Sequence, residues 1–177
     1  MRLFSDRSLW TMAHGLVLSG GAMLTMAAAL FALTVMAIPR GGTVPRRQAT
    51  ALVWLLVAMT VLLWLSVLMG TYRVFPLYRT PPPDGVLSLT EYPRALLLSS
   101  PDTAWLHAFA MEIKEHVPWI AAMLATAVAF IARRYRTTLL ADAALRRVTT
   151  ALLAVTLAIV SFVALLGVFI NKVAPLE

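Results

Sequence analysis

Two of the three histidines of this chain have the spacing of a ligand pair. His14 lies just inside the first long apolar run, and His116 begins the uncharged core of the third. Both runs are predicted to cross the membrane in the same direction, so the two imidazoles should lie at similar depth. Imidazoles that face each other across a helical bundle are the usual axial ligands of b-type haem. The pattern predicts one haem b between the first and third spans, with His14 and His116 as ligands.

Tyrosine and arginine side chains follow the second apolar run, where they are suited to meet the haem propionates. The pairs are Tyr72 with Arg73 and Tyr78 with Arg79. Arginine is the preferred carboxylate partner because its planar fork forms two hydrogen bonds at once. Glu112 precedes the second predicted ligand by one helical turn, and either Glu112 or Glu115 could accept a hydrogen bond from an imidazole N–H.

Other uses of these side chains stay open. His107 lies nine residues before His116, which is about 900° of α-helical rotation and thus the opposite face. A second haem would need His107 with a methionine such as Met111. A non-haem ion is the competing metal hypothesis, and carboxylates with imidazoles hold such ions in helical bundles. Its ligands would be Glu112, Glu115, His116 and His14.

The elements that must position these residues are membrane helices. The chain has 177 residues, 60% of them hydrophobic and 13% charged, against roughly 25% charged in soluble domains. A membrane-spanning helix needs about 20 mostly apolar residues. Such runs extend from Leu9 to Ile38, Ala51 to Tyr72, Trp105 to Ala132 and Val148 to Ile170. The composition predicts an all-α fold, a single membrane domain over residues 1–177 that forms an integral membrane bundle of four transmembrane helices.

Charge placement predicts the orientation of the bundle. The net charge is +7, but the arginines are dense in two short connections and do not indicate nucleic-acid binding. They are Arg40, Arg46, Arg47, Arg133, Arg134, Arg136, Arg146 and Arg147. Because short arginine-rich loops face the cytoplasm, we expect both termini and the loop 73–104 on the outer side. The predicted location is the bacterial cytoplasmic membrane, with the lipid bilayer as the first partner.

The loop between the second and third spans has its own predicted structure. Pro81–Pro83 predicts an extended stretch, and Asp84–Gly85 predicts a turn. A short helix lying at the membrane surface is expected within Leu87–Leu98. Ser100 is a candidate N-cap with Pro101 in the first turn of the next helix.

The architecture resembles that of the small bacterial four-helix membrane b-type cytochromes. The residues that carry the resemblance are His14, Gly70 to Arg73, Tyr78–Arg79 and Met111 to His116. It implies a haem-carrying subunit for one-electron transfer near the outer face of the membrane. Electrons would come from quinol or a partner membrane subunit and leave to an outward-facing carrier. Members with two haems need four histidine ligands, so this chain is expected to hold one.

Two other functions stay open, and enzymatic activity of the chain alone is not expected. An open axial position would suit gas sensing, and a cofactor-free accessory or assembly subunit of a larger respiratory complex would use the charged residues for docking. The chain has no cysteine, which excludes disulfides and covalent c-type haem. The sequence holds no nucleophile with its base and no nucleotide-binding fingerprint.

Overall fold

The computed structural model describes residues 4–36 and 45–175, and that part of the chain is helical without strands. Four of its helices are long and apolar enough to cross a membrane, and one short helix lies in the connection between the second and third of these. They are α1 (Asp6–Val35), α2 (Arg46–Arg79), α3 (Pro93–Leu98), α4 (Pro101–Arg134) and α5 (Ala143–Val173). The predicted all-helical fold with four candidate membrane spans is therefore confirmed.

The helices extend past the apolar runs that predicted them. The second apolar run ends at Tyr72, whereas α2 continues to Arg79 through Pro76. Proline is tolerated there because it lies in the first turn of the segment after a π-helical turn. The end of the first predicted span, Ile38, lies outside the described residues.

The loop between α2 and α4 contains the predicted helix cap, turn and short helix. Ser100 caps α4 as predicted, and its side chain accepts a hydrogen bond from the Asp102 N–H at 3.3 Å. Gly85 has a φ of +79° in the expected turn. The helix predicted within Leu87–Leu98 is shorter in the structure, because α3 starts only at Pro93, where proline suits a first turn.

The core of the bundle lies between the four long helices. Each of the four contributes fully buried side chains, among them Met26, Leu56, Val128 and Leu153. Small buried residues of α4, including Ala125, let the neighbouring helices approach closely. The hydroxyl of Thr60 on α2 donates to the Ala125 carbonyl at 3.1 Å, so a polar bond also crosses this interface.

Three helices in the described part of the chain contain a π-helical turn. The turns are Ala13–Ser19 in α1, Gly70–Val74 in α2 and Leu106–Met111 in α4. Contacts between these segments, α3 and the last turns of α5 place all three at the same end of the bundle, which we call the loop end because it carries residues 80–100. Such turns are rare and occur frequently at functional sites, because the extra residue rotates the side chains that follow it.

Candidate functional site

His14 is held at the loop end by two serines. Its Nδ1 lies 3.0 Å from the Ser66 carbonyl oxygen and 3.2 Å from the Ser66 hydroxyl. The Ser66 hydroxyl is 2.7 Å from the Ser19 hydroxyl, which in turn lies 3.0 Å from the His14 carbonyl. Ser19 follows His14 by five residues in the π-helical turn, so this hydroxyl reaches the carbonyl inside the wider turn.

The network determines which nitrogen of His14 carries the proton. A carbonyl only accepts, so Nδ1 must be the donor to Ser66. The Ser19 hydroxyl donates to the His14 carbonyl and therefore accepts from the Ser66 hydroxyl. In the neutral ring, Nε2 then keeps its lone pair. A histidine whose Nδ1–H is fixed by a backbone carbonyl is the usual form of a metal-ligating imidazole.

Glycine at position 70 makes room for this imidazole. A Cβ added at Gly70 would lie 2.9 Å from Cε1 of His14 and 3.4 Å from each ring nitrogen. Real Cβ atoms do not approach other atoms at 2.9 Å, so a larger residue would displace the ring. The close approach of α2 to α1 at this point therefore depends on Gly70.

Lys114 brings a positive charge to the same region from α4. A Cβ added at Gly167 of α5 would lie only 2.9 Å from the Lys114 Nζ. The charge of Lys114 acts on His14. Lys114 is half-buried and forms neither a hydrogen bond nor an ion pair in the described part of the chain. Ionisable side chains inside membrane bundles are costly and generally functional.

His116 lies in a different environment. Its side chain is 73% exposed, and its Nδ1 donates to the Glu112 carbonyl at 2.8 Å. The Glu112 carboxylate, one of the two predicted acceptors of this hydrogen bond, is 3.9 Å away. The backbone carbonyl takes the bond because it lies one helical turn before the imidazole. Nε2 of His116 thus also keeps its lone pair when the ring is neutral.

The structure does not bring His14 and His116 together as facing imidazoles. Lys114 is the α4 residue whose charge reaches His14. His116 follows Lys114 by two residues, which rotates it by about 200° around the helix and away from α1. Each histidine alone has the hydrogen bonding of a ligand, but they engage different neighbours. Axial ligation by both would require His116 to turn from the exposed face.

The predicted tyrosine–arginine cluster divides into two parts. Arg73 stacks on Trp10 of α1, with its guanidinium carbon 4.7 Å from the ring centroid, and Tyr72 is 67% exposed. Tyr78 is buried instead, and its hydroxyl lies 2.8 Å from Nδ1 of His107. The π-helical turn Leu106–Met111 changes the rotation that separates the two α4 histidines, so purely α-helical counting does not apply to His107.

Two arginines accompany the Tyr78–His107 pair. The Arg79 guanidinium lies 4.9 Å from the centroid of the Phe75 ring, which stacks on Tyr78. Arg94 of α3 acts electrostatically on both Tyr78 and His107. Its Nε is buried and has no hydrogen-bond partner among the described residues. These groups therefore form a second polar cluster at the loop end.

The non-haem metal hypothesis finds no support in the geometry. Within residues 4–36 and 45–175, no three or more histidine and carboxylate side chains are arranged to hold a metal ion. Glu112 and His116 lie on an exposed face of α4, whereas His14 is hydrogen-bonded to Ser66 of α2. The four proposed ligands therefore do not converge.

Several residues of these clusters were not predicted from sequence. They are Ser19, Ser66, Lys114, Gly167 and Arg94. Lys114 offered the one usable signal, since a charge three residues before Val117 lies next to an apolar run. The serines and glycines gave no signal distinct from ordinary membrane-helix packing. Comparison with known proteins adds no assignment, because no family model, curated protein or solved structure matches this chain.

Proposed function

We propose that this protein is a b-type cytochrome subunit of membrane electron transport, with His14 as the haem ligand at the loop end. The observation that supports the proposal is the hydrogen bond from His14 Nδ1 to the Ser66 carbonyl, 3.0 Å long, because it leaves Nε2 free to bind iron. Haem b would supply one-electron transfer at this place. Quinol or a partner subunit would donate the electron, and an outward-facing carrier would accept it.

The chain's own residues would orient and neutralise such a group. Ser66 and Ser19 fix the ring and proton of His14. Arg73 follows Gly70 by one turn and stacks on Trp10, so it is the cation best placed to meet a carboxylate beside α1. His116 remains the predicted second ligand, and substituting the two histidines one at a time separates their contributions.

A pyridine haemochrome assay on detergent-purified protein tests the proposal. We expect about one haem b per chain in the wild type and none in His14→Ala. His107→Ala is the matched control, because His107 is already engaged by Tyr78, and it should keep its haem. Loss of haem in His116→Ala would establish the ligand pair. A colourless wild type, or His14→Ala with its haem intact, would end the cytochrome proposal.

A visible spectrum of the reduced protein separates electron transfer from gas sensing. Two strong axial ligands give a six-coordinate spectrum that does not change with carbon monoxide, and this is the result we expect. A large change on adding carbon monoxide would show an open position and favour sensing instead.

The accessory-subunit alternative rests on the exposed face of α4. Glu112 and His116 are 62% and 73% exposed there and form a polar pair that no other helix covers within the described residues. A colourless protein that copurifies with a larger complex, and loses it in the His116→Ala variant, would support docking. Retention of the complex in that variant would count against it.

The proposed orientation places both termini and the loop end on the outer side of a bacterial cytoplasmic membrane. The absence of cysteine makes this simple to test with single cysteines in cells. An impermeant maleimide should label Asp84→Cys in the loop and spare Arg136→Cys in the connection after α4. The reverse labelling pattern would invert the topology.

A further inference from the structure

We propose that Arg79 and Arg94, together with the Tyr78–His107 pair, bind the phosphodiester of a membrane lipid at the loop end of the bundle. The proposal does not depend on haem binding. None of these four residues hydrogen-bonds to His14 or pairs with it in the part of the chain that the structure describes.

The buried packing of α3 fixes the position of Arg94. Leu97 is fully buried in an apolar cluster with Tyr78 and Leu106. Arg94 precedes Leu97 by one helical turn and therefore lies on the same face of α3. The short helix thus holds a guanidinium near the Tyr78–His107 pair, although α3 itself belongs to the connection between two membrane spans.

The guanidinium groups have donors to spare. Nε of Arg94 is buried without a hydrogen-bond partner in residues 4–36 and 45–175, and a buried donor that bonds to nothing is costly. Arg79 stacks on Phe75, which covers the flat face of its guanidinium and leaves the N–H edge available. Neither arginine forms an ion pair in the described part of the chain. Both therefore present unused N–H groups to one region.

The ligand chemistry follows from these donors and from the nearby acids. Guanidinium forks match the oxygens of phosphate and carboxylate. The charge of Glu115 acts on Tyr78 and that of Glu112 on His107, so the two arginines are partly balanced. A singly charged phosphodiester suits this site better than a doubly charged phosphate monoester.

The place in the fold favours a lipid as the source of the phosphodiester. Arg79 ends one candidate membrane span, and the next begins at Pro101, so the cluster lies at the level expected for headgroups. Guanidinium groups at this level can pair with the phosphodiester oxygens of anionic headgroups. Trp105 and Phe109 flank His107 in the chain and are both exposed, as expected for aromatic side chains that contact lipid.

Native mass spectrometry of the detergent-purified full chain tests the site. Phosphatidylglycerol is added to wild type, Arg94→Gln, Arg79→Gln and the control Arg133→Gln, which removes the same charge from the opposite end of α4. We expect either loop-end substitution to weaken retention of the lipid roughly tenfold. Arg133→Gln should retain it like the wild type. Equal retention in all variants, or an equal loss in Arg133→Gln, would overturn the proposal.

Two further arms identify the source and guard against misfolding. Phosphatidylcholine should bind more weakly, because its choline cation would lie near the arginines. Inorganic phosphate that displaces the lipid in an Arg94-dependent way would overturn the lipid assignment in favour of the free anion. Arg94→Lys keeps the charge and loses the planar fork, so it should fold and still bind several-fold more weakly than wild type. Wild-type binding in Arg94→Lys would contradict recognition through the fork.

Discussion

The imidazole of His14 lies so close to Gly70 that a Cβ at position 70 would be 2.9 Å from its Cε1. The contact joins the π-helical turn of α1 to the one that begins at Gly70 in α2. It also explains why the ring reaches the Ser66 carbonyl, which lies one turn before Gly70 on α2. The close packing of α1 on α2 and the hydrogen bond of His14 therefore depend on each other.

The Gly70→Ala substitution should disrupt that arrangement. The added methyl group must displace the imidazole and so weaken the hydrogen bond that holds its Nδ1 to Ser66. We expect the free energy of unfolding to fall by about 1–3 kcal/mol, as for overpacked cores. Thermal unfolding in detergent measures the change.

Gly15→Ala is the matched control for Gly70→Ala. A Cβ at Gly15 has no neighbour within 4 Å, and alanine is the better helix former. Its stability should equal or slightly exceed that of the wild type. If Gly15→Ala is as damaging as Gly70→Ala, the contact with His14 is not the cause.

The Tyr78–His107 hydrogen bond should contribute measurably to stability. Tyr78→Phe removes the hydroxyl that lies 2.8 Å from the imidazole and leaves His107 Nδ1 without that partner. We expect a loss of about 1 kcal/mol in the free energy of unfolding. Tyr72→Phe removes the same atom from a tyrosine that is 67% exposed, and it should change nothing. Equal effects of the two substitutions would contradict a specific role of the buried bond.

The spans could be predicted from sequence because apolar runs of this length have few alternatives, whereas the clusters depend on features without a sequence signal. The π-helical turn at Leu106–Met111 alters which residues share a face of α4, and a prediction made at 100° per residue misses that rotation. Lys114 and His116 both follow that turn and lie on opposite sides of α4, and the prediction from matched depth did not distinguish which of the two faces α1. Arg94 is separated from Tyr78 by a loop, so only the packing of Leu97 reveals their association.

Asp142 should give the stability of α5 a defined pH dependence. Its carboxylate accepts hydrogen bonds from the Leu145 and Ala144 N–H groups, and these bonds hold its pKa below the ordinary value. A carboxyl group with a lowered folded-state pKa stabilises the protein above its unfolded-state pKa of about 3.9. That stabilisation should be lost as the pH falls through the lowered value.

A comparison of unfolding at pH 7 and near pH 3 measures the Asp142 effect. Asp142→Asn still caps the helix but cannot ionise, so its stability should change less over this interval than that of the wild type. At pH 7, Asp142→Ala should be less stable than Asp142→Asn, because alanine cannot cap the helix. An identical pH dependence in wild type and Asp142→Asn would show that other carboxyl groups dominate the acid response.

Lys114 should lower the stability of the isolated bundle. Its ammonium lies against Gly167 without a hydrogen bond or ion pair in the described part of the chain, and burying an unpaired charge costs free energy. Lys114→Met keeps a long flexible side chain and removes the charge, so the midpoint of thermal unfolding should rise. Lys172→Met removes a charge from an exposed position near the end of α5 and should leave the midpoint unchanged. A lower midpoint for Lys114→Met would contradict this prediction. It would mean that the Lys114 ammonium stabilises the folded bundle.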